Sequence, residues 1–99
     1  MAQRTIVLEY NGQKIVSQPF KFQHACIIDD EMYKSRQKDF ELTDGLMNLW
    51  ALAAIQKMFE GTILTDEIIE TEINHKELKA ECRKVLDWYF GINEEIKNL

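Results

Sequence analysis

In TIVLEYNGQKIVSQPF, near the start of the chain, runs of β-prone residues flank Asn11-Gly12 and put apolar side chains on both faces, a pattern that predicts a β-hairpin. Asn11-Gly12 supplies two residues that tolerate positive φ, as a type I′ turn requires. A two-residue loop sets Tyr10 opposite Gln13 and Leu8 opposite Ile15. Ile6, Leu8, Tyr10 and Ile15 then share one face, while Val7 and Val16 pair on the other beside Glu9 and Lys14. An isolated hairpin is marginal in water, so this one must pack on helices or join strands of another chain. Pro19 ends the second strand.

Beyond the hairpin the period changes to that of helices. FKFQHACIIDDEMYKS predicts a short helix with two possible buried registers, one through Phe22, Cys26 and Tyr33 and one through Phe20, Ile27 and Ile28. RQKDFE reads as a polar loop in which Phe40 either anchors the loop or reaches a partner. Thr43 or Asp44 can cap the next helix, which runs to about Gly61, a residue suited to a C-terminal stop. TDEIIETEI reads as a helical turn, with Thr65 and Asp66 as its cap, or as an acidic loop. Asn74 can cap a last helix while Glu77 reaches back to it, the spacing of a capping box. Along it Leu78, Cys82, Val85, Leu86 and Tyr89 recur at helical intervals, and Gly91 closes it before a short fraying tail, INEEIKNL. The expected fold is α+β, an N-terminal β-hairpin packed on a small bundle of about three helices, with residues 1–99 forming one domain.

The segment LMNLWALAAIQKMF, Leu46 to Phe59, departs from the usual amphipathic pattern. At about 100° per residue it carries three apolar stripes. Leu46, Leu49, Trp50 and Ala53 form one, and Leu52, Ile55 and Phe59 a second. Met47, Ala51, Ala54 and Met58 form a third, with Asn48, Gln56 and Lys57 scattered between them. A helix apolar all round in a soluble chain must be covered on every side. Either it is the central helix of one well-wrapped core, or its Met and Ala stripe packs on another chain, and the second reading is favoured here because small residues allow close approach and Met adapts to varied partners. Trp50 reads as core. Trp88 lies off the stripe of the last helix and is either ordinary packing or a partly exposed anchor. The candidate protein-binding residues are therefore Met47, Trp50, Ala51, Ala54, Met58 and Trp88. On this reading, charges at Met47 and Met58 abolish partner binding and leave the fold intact.

Composition narrows the function. The net charge is -5 and the Lys and Arg residues are dispersed, so no nucleic acid is expected as a partner. Fourteen residues of apolar helix are too few for a bilayer, which needs roughly 20, and MAQRTIVLEY lacks the charged and apolar blocks of a secretory leader, so a cytoplasmic protein with no membrane contact is expected. Cys26 and Cys82 have no partner at metal-ligand spacing and read as buried free thiols, with a disulfide as the lesser alternative. His24 and His75 lie near no nucleophile signature, and the acidic residues Asp29, Asp30, Asp66, Glu67, Glu70 and Glu72 form no calcium-loop spacing. The glycines are too far apart for a phosphate loop. No enzyme, cofactor or metal is expected.

The hairpin IVLEYNGQKIVSQPFKF running into a short helix, then LTDGLMNLWALAAIQKMF, the acidic TDEIIE and a final KELKAECRKVLDWYF resembles the small tail assembly chaperones of long-tailed bacteriophages and prophages. The resemblance covers most of the chain as layout and hydrophobic style rather than as a signature motif. It implies a non-catalytic cytoplasmic factor that coats the tape measure protein, recruits tail tube subunits, is absent from the finished virion and often forms homo-oligomers. Two other classes fit the same residues: a structural head-tail connector component, or an acidic inhibitor or immunity-type protein that binds a basic target through residues 66–72.

Overall fold

The computed structural model describes residues 4–38 and 41–97, with side chains up to residue 91. Its order is β1 (Val7–Tyr10), β2 (Gln13–Val16), α1 (Phe22–Arg36), α2 (Asp44–Met58), α3 (Asp66–Thr71) and α4 (His75–Lys97). This is the expected α+β fold, with the acidic connection folded as one short additional helix. Phe40 lies outside the described residues. No helix among those described is long and apolar enough to cross a membrane.

The hairpin has the register that its turn dictates. Asn11 and Gly12 take φ of 53° and 76°, and Val7 pairs with Val16, Leu8 with Ile15, Glu9 with Lys14 and Tyr10 with Gln13. Ile6 and Leu8 are fully buried, Tyr10 and Ile15 pack against the core, and Val7 and Val16 face outward. Past Val16 the chain stays fastened to its neighbours. The Ser17 N–H donates to the Ile6 carbonyl (2.9 Å), the Ile6 N–H to Ser17 Oγ (2.9 Å), the Gln18 N–H to the Met58 carbonyl (3.1 Å) and the Phe20 N–H to the Arg4 carbonyl (2.8 Å). The third of these bonds fixes the hairpin against the end of α2, where the last carbonyls lack intrahelical donors.

Each later helix begins at a side-chain cap. Thr43 Oγ1 accepts the Leu46 N–H (3.1 Å), Thr65 Oγ1 the Ile68 N–H (3.2 Å) and Asn74 Oδ1 the Glu77 N–H (3.1 Å). Glu77 does not serve the reciprocal role expected of it, because its Oε1 accepts the Glu9 N–H at 2.9 Å and ties α4 to β1. Gly61, at φ 88°, completes the stop after α2. Gly91 ends nothing: α4 runs through it to Lys97. A glycine halts a helix when it takes a left-handed conformation, and Gly91 is not among the residues with positive φ.

The core is built around α2. On one side α1 packs against it and on the other α4, with Phe59, Ile55, Met58, Ile28, Ile69 and Val85 fully buried between the elements. In α1 the register through Phe20 and Ile28 is the one observed: both are buried and Ile27 is half-buried, while Phe22, Cys26 and Tyr33 are exposed. The buried arc of α1 also contains His24, which is fully buried. Its Nδ1 accepts the Lys21 N–H (2.9 Å) at the head of the helix and its ring stacks on Phe20, while Nε2 is buried with no partner among the described residues.

That geometry favours neutral imidazole. Burial, then the positive charges of Lys21 and Lys57, lower the His24 pKa from its ordinary value of 6.5. The unfolded chain therefore binds the proton more readily than the folded one, and the stability associated with His24 is complete above pH 6.5 and declines as pH falls through the folded value. Denaturant midpoints measured from pH 7 to pH 5 are expected to fall in the native protein and to fall less in His24→Asn, which keeps an acceptor for the Lys21 N–H.

Candidate protein-binding surfaces

The side chains of α2 divide into an inward and an outward set. Trp50, Ala51, Ala54, Ile55 and Met58 face the chain's own core. Ala51 and Ala54 are completely enclosed, and their small side chains leave room for α1 and α4 to approach α2 from both sides. The stripe taken from the sequence as a partner surface is thus largely a seam within the chain, and Ala51, Ala54 and Met58 are corrected from surface to core; Trp50, on another stripe, is core as its spacing suggested, and of its place among the binding candidates only an edge on a surface hollow remains. Trp50 also donates its Nε1–H to Ser35 Oγ (3.0 Å), so its one polar group is used in holding α1. Tyr89 Oη donates to Asp29 and fastens α4 to α1 in a comparable way.

Met47 and Trp88 are half-buried and packed against the core, Trp88 with its ring 6.0 Å from that of Phe20. The large apolar side chains left in solvent are others: Leu42 (62% exposed), Leu49 (60%) and Phe90 (47%) near α2 and α4, Phe22 and Tyr33 on α1, Ile63 after α2, and Val7 and Val16 on the outer face of the hairpin. Leu49 belonged to the first apolar stripe, but nothing in its spacing distinguished it from the buried residues around it. Leu42 lies outside the periodic segment, and Phe90 sits one residue beyond the core stripe of α4.

Leu42, Leu49 and Phe90 border two mainly apolar hollows. The first, about 380 Å³, lies between α2 and α4 and is walled by Leu49, Leu52, Leu78 and Cys82, with Glu70, His75 and Lys79 at its margin. The second, about 300 Å³, is formed by Met32, Leu42, Met47, Trp50 and Phe90, with Arg36 beside them. It holds two residues selected from the sequence, Met47 and Trp50, and brings Leu42 and Phe90 to them. Larger depressions have mixed polar and apolar linings. One of about 470 Å³ is bordered by Glu31, Lys57, Glu60 and Asp66, and one of about 670 Å³ by Glu9, Glu72, Lys76 and Glu77. Among the described residues no group of three or more His, Cys, Asp or Glu side chains is placed to hold a metal ion.

The cysteines differ in environment, contrary to the expectation that both are buried. Cys26 is exposed on α1 and Cys82 is buried, its thiol donating weakly to the Asn48 carbonyl (3.7 Å). Burial, reinforced by the neighbouring Glu81 carboxylate, pushes the Cys82 thiol up to about 11. A thiol reagent at pH 8 is expected to modify Cys26 rapidly in the native protein and Cys82 only after denaturation. Rapid native labelling of both would place Cys82 outside the core.

Comparison with protein-family models, with curated proteins and with solved structures finds no match for this chain. The class of protein is therefore argued from the surface itself: a small α+β domain with a closed core and large apolar side chains grouped beside two hollows.

Proposed function

We propose that the chain is a non-catalytic tail assembly chaperone of a long-tailed phage or prophage, holding the tape measure protein and bringing tail tube subunits to it in the host cytoplasm. The observation that carries the reading is the hollow formed by Leu42, Met47, Trp50 and Phe90, because it leaves apolar side chains in water although the core beneath them is complete. Its apolar lining suits the apolar ridge of a helix, the form in which an unassembled coiled segment exposes its seam. Met32 and Met47 line it, and flexible thioethers adapt to successive turns of a long client. The acidic net charge keeps a protein with such a surface soluble. The layout of hairpin, apolar central helix and final helix supports the same class.

Coexpression with the tape measure protein of the same phage or prophage tests this reading. The client is expected to become soluble and to copurify with the chain. A tape measure protein that aggregates equally in its presence contradicts the proposal.

The acidic inhibitor reading has one observation in its favour, the depression where Glu9, Glu72 and Glu77 gather beside the hairpin turn. Capture of a basic enzyme whose binding is lost on charge reversal at Glu72 and Glu77 would select it.

A further inference from the structure

The two edges of the hairpin differ. On β1 the Glu9 N–H points away from β2 and is taken by Glu77 Oε1 of α4 (2.9 Å), so the chain closes that edge itself. Hydrogen-bonding direction alternates along an antiparallel pair, and Lys14 stands opposite Glu9, so the Lys14 N–H and carbonyl point away from β1. The Ser17 N–H donates inward to the Ile6 carbonyl, and alternation then turns the backbone groups of Val16 outward as well. Among the described residues no further hydrogen bond meets Lys14 or Val16 from that side. The edge of β2 is therefore open, with unpaired donors and acceptors in a row.

This edge is held in its extended form without a third strand. Beyond Val16 the chain is pinned by the bonds from Ser17 to Ile6 and from Gln18 to Met58, and Ile15 packs against the core on the inner face. An incoming strand meets a formed template, which lowers the ordering cost of binding. On the outer face Val16 is 55% exposed, with Val7 opposite it at 38%, so apolar surface runs up to the open edge.

Charge indicates the kind of strand that fits. None of the 17 acidic residues lies between Tyr10 and Ile28, where Lys14 and Lys21 stand, although the chain as a whole has a net charge of -5. Lys14 is exposed and, with Glu9 as its cross-strand neighbour, makes no ion pair among the described residues. A carboxylate on an added strand would lie directly beside it, on the side away from Glu9. Lysine on an edge guards against indiscriminate pairing, and here it selects for an acid.

We propose that the open edge of β2 binds an extended segment of another protein as a third, antiparallel strand. The segment carries an apolar residue beside Val16, a second apolar residue beside Ile15 and an acid beside Lys14, in that chain order. Antiparallel pairing is the more stable arrangement, and it lets the residues opposite Lys14 and Val16 exchange both backbone hydrogen bonds with them. The edge shares no residue with the hollow of Leu42 and Phe90, and its binding does not depend on a tape measure client.

Titration of the isotope-labelled full chain with the blocked peptide Thr-Thr-Val-Val-Glu-Thr-Thr, followed by NMR, tests the edge. The amides of Lys14 and Val16 are expected to shift and to exchange more slowly with solvent. The same peptide N-methylated on its first valine and its glutamate lacks the donors that face β2, and should bind at least ~10-fold more weakly. Val16→Pro removes an outward N–H that the ladder with β1 does not use, and should weaken binding to a similar degree while thermal unfolding stays cooperative. Lys14→Glu should weaken binding about fivefold and reverse the preference between this peptide and its lysine counterpart. No response of the two amides at the highest soluble peptide concentration overturns the proposal. So does equal binding of the N-methylated peptide, or undiminished binding by folded Val16→Pro. Slowed exchange that grows with protein concentration alone also overturns it, because the occupant is then a second copy. The peptide comparison leaves the chain unaltered, so it decides the outcome even where Val16→Pro does not fold.

Discussion

Glutamate in place of Met58 is expected to unfold the chain. Met58 is fully buried against the hairpin connection and the core, so the substitution removes its packing, about 2–5 kcal/mol, and leaves a carboxylate with no cation in the core. A small domain has a total stability of about 5–15 kcal/mol, and the two effects together consume most of it. Loss of the cooperative thermal transition, followed by circular dichroism, is the expected reading. Met47→Glu provides the contrast. Met47 lies on the same sequence stripe but at the edge of a hollow, and the charge there can reach water, so a cost of about 1 kcal/mol or less is expected. A folded Met58→Glu variant would show that the stripe is on the surface.

The second large effect concerns Phe59. It is the bulkiest fully buried side chain and follows directly on α2, with its N–H donating to the Ile55 carbonyl (3.1 Å) and its carbonyl accepting the Thr62 hydroxyl (2.7 Å). Those backbone bonds survive truncation, so Phe59→Ala isolates the loss of packing. About 3–5 kcal/mol of destabilisation is expected, read as a lower denaturant midpoint with little change in slope. A loss below ~1 kcal/mol would mean that neighbouring side chains collapse into the space.

The sequence was most legible where a local rule acts alone. Asn11-Gly12 determined the hairpin register because a two-residue loop admits one pairing, and the register settled which residues share a face, while apolar residues on both faces left open which one turns inward. Thr43, Thr65 and Asn74 marked helix starts because an oxygen at that position meets free N–H groups. The candidate site was less legible for a reason of the same kind. In α2 the apolar residues surround the axis, so periodicity cannot say which arc is buried, and the choice depends on where α1, α4 and the hairpin settle. Small size at Ala51 and Ala54 was read as an invitation to a partner, whereas it accommodates the chain's own helices.

Other differences follow from competition between neighbours. Phe20 and Phe22 are equally apolar, and the Phe20 register prevails in a fold where His24 lies beneath the start of α1 with its Nδ1 on the Lys21 N–H. A histidine three residues after a helix boundary is the one signal that would have identified this face. By sequence Glu77 had the Asn74 N–H within reach, and the fold instead brings the Glu9 N–H of the hairpin to it. Leu42 and Phe90 come together only when α2 crosses α4, so no linear pattern joins them.

The central claim is that a client helix binds the hollow of Leu42, Met47, Trp50 and Phe90. Its most direct test is retention of the tape measure protein by a Leu42→Glu, Phe90→Glu variant compared with the native chain. Leu42 is largely exposed and Phe90 about half exposed, and neither belongs to the buried core, so the variant is expected to keep a cooperative thermal transition while its affinity falls at least ~100-fold, as for the loss of two apolar anchors. Full retention of the client by the folded variant would contradict the assignment of this surface.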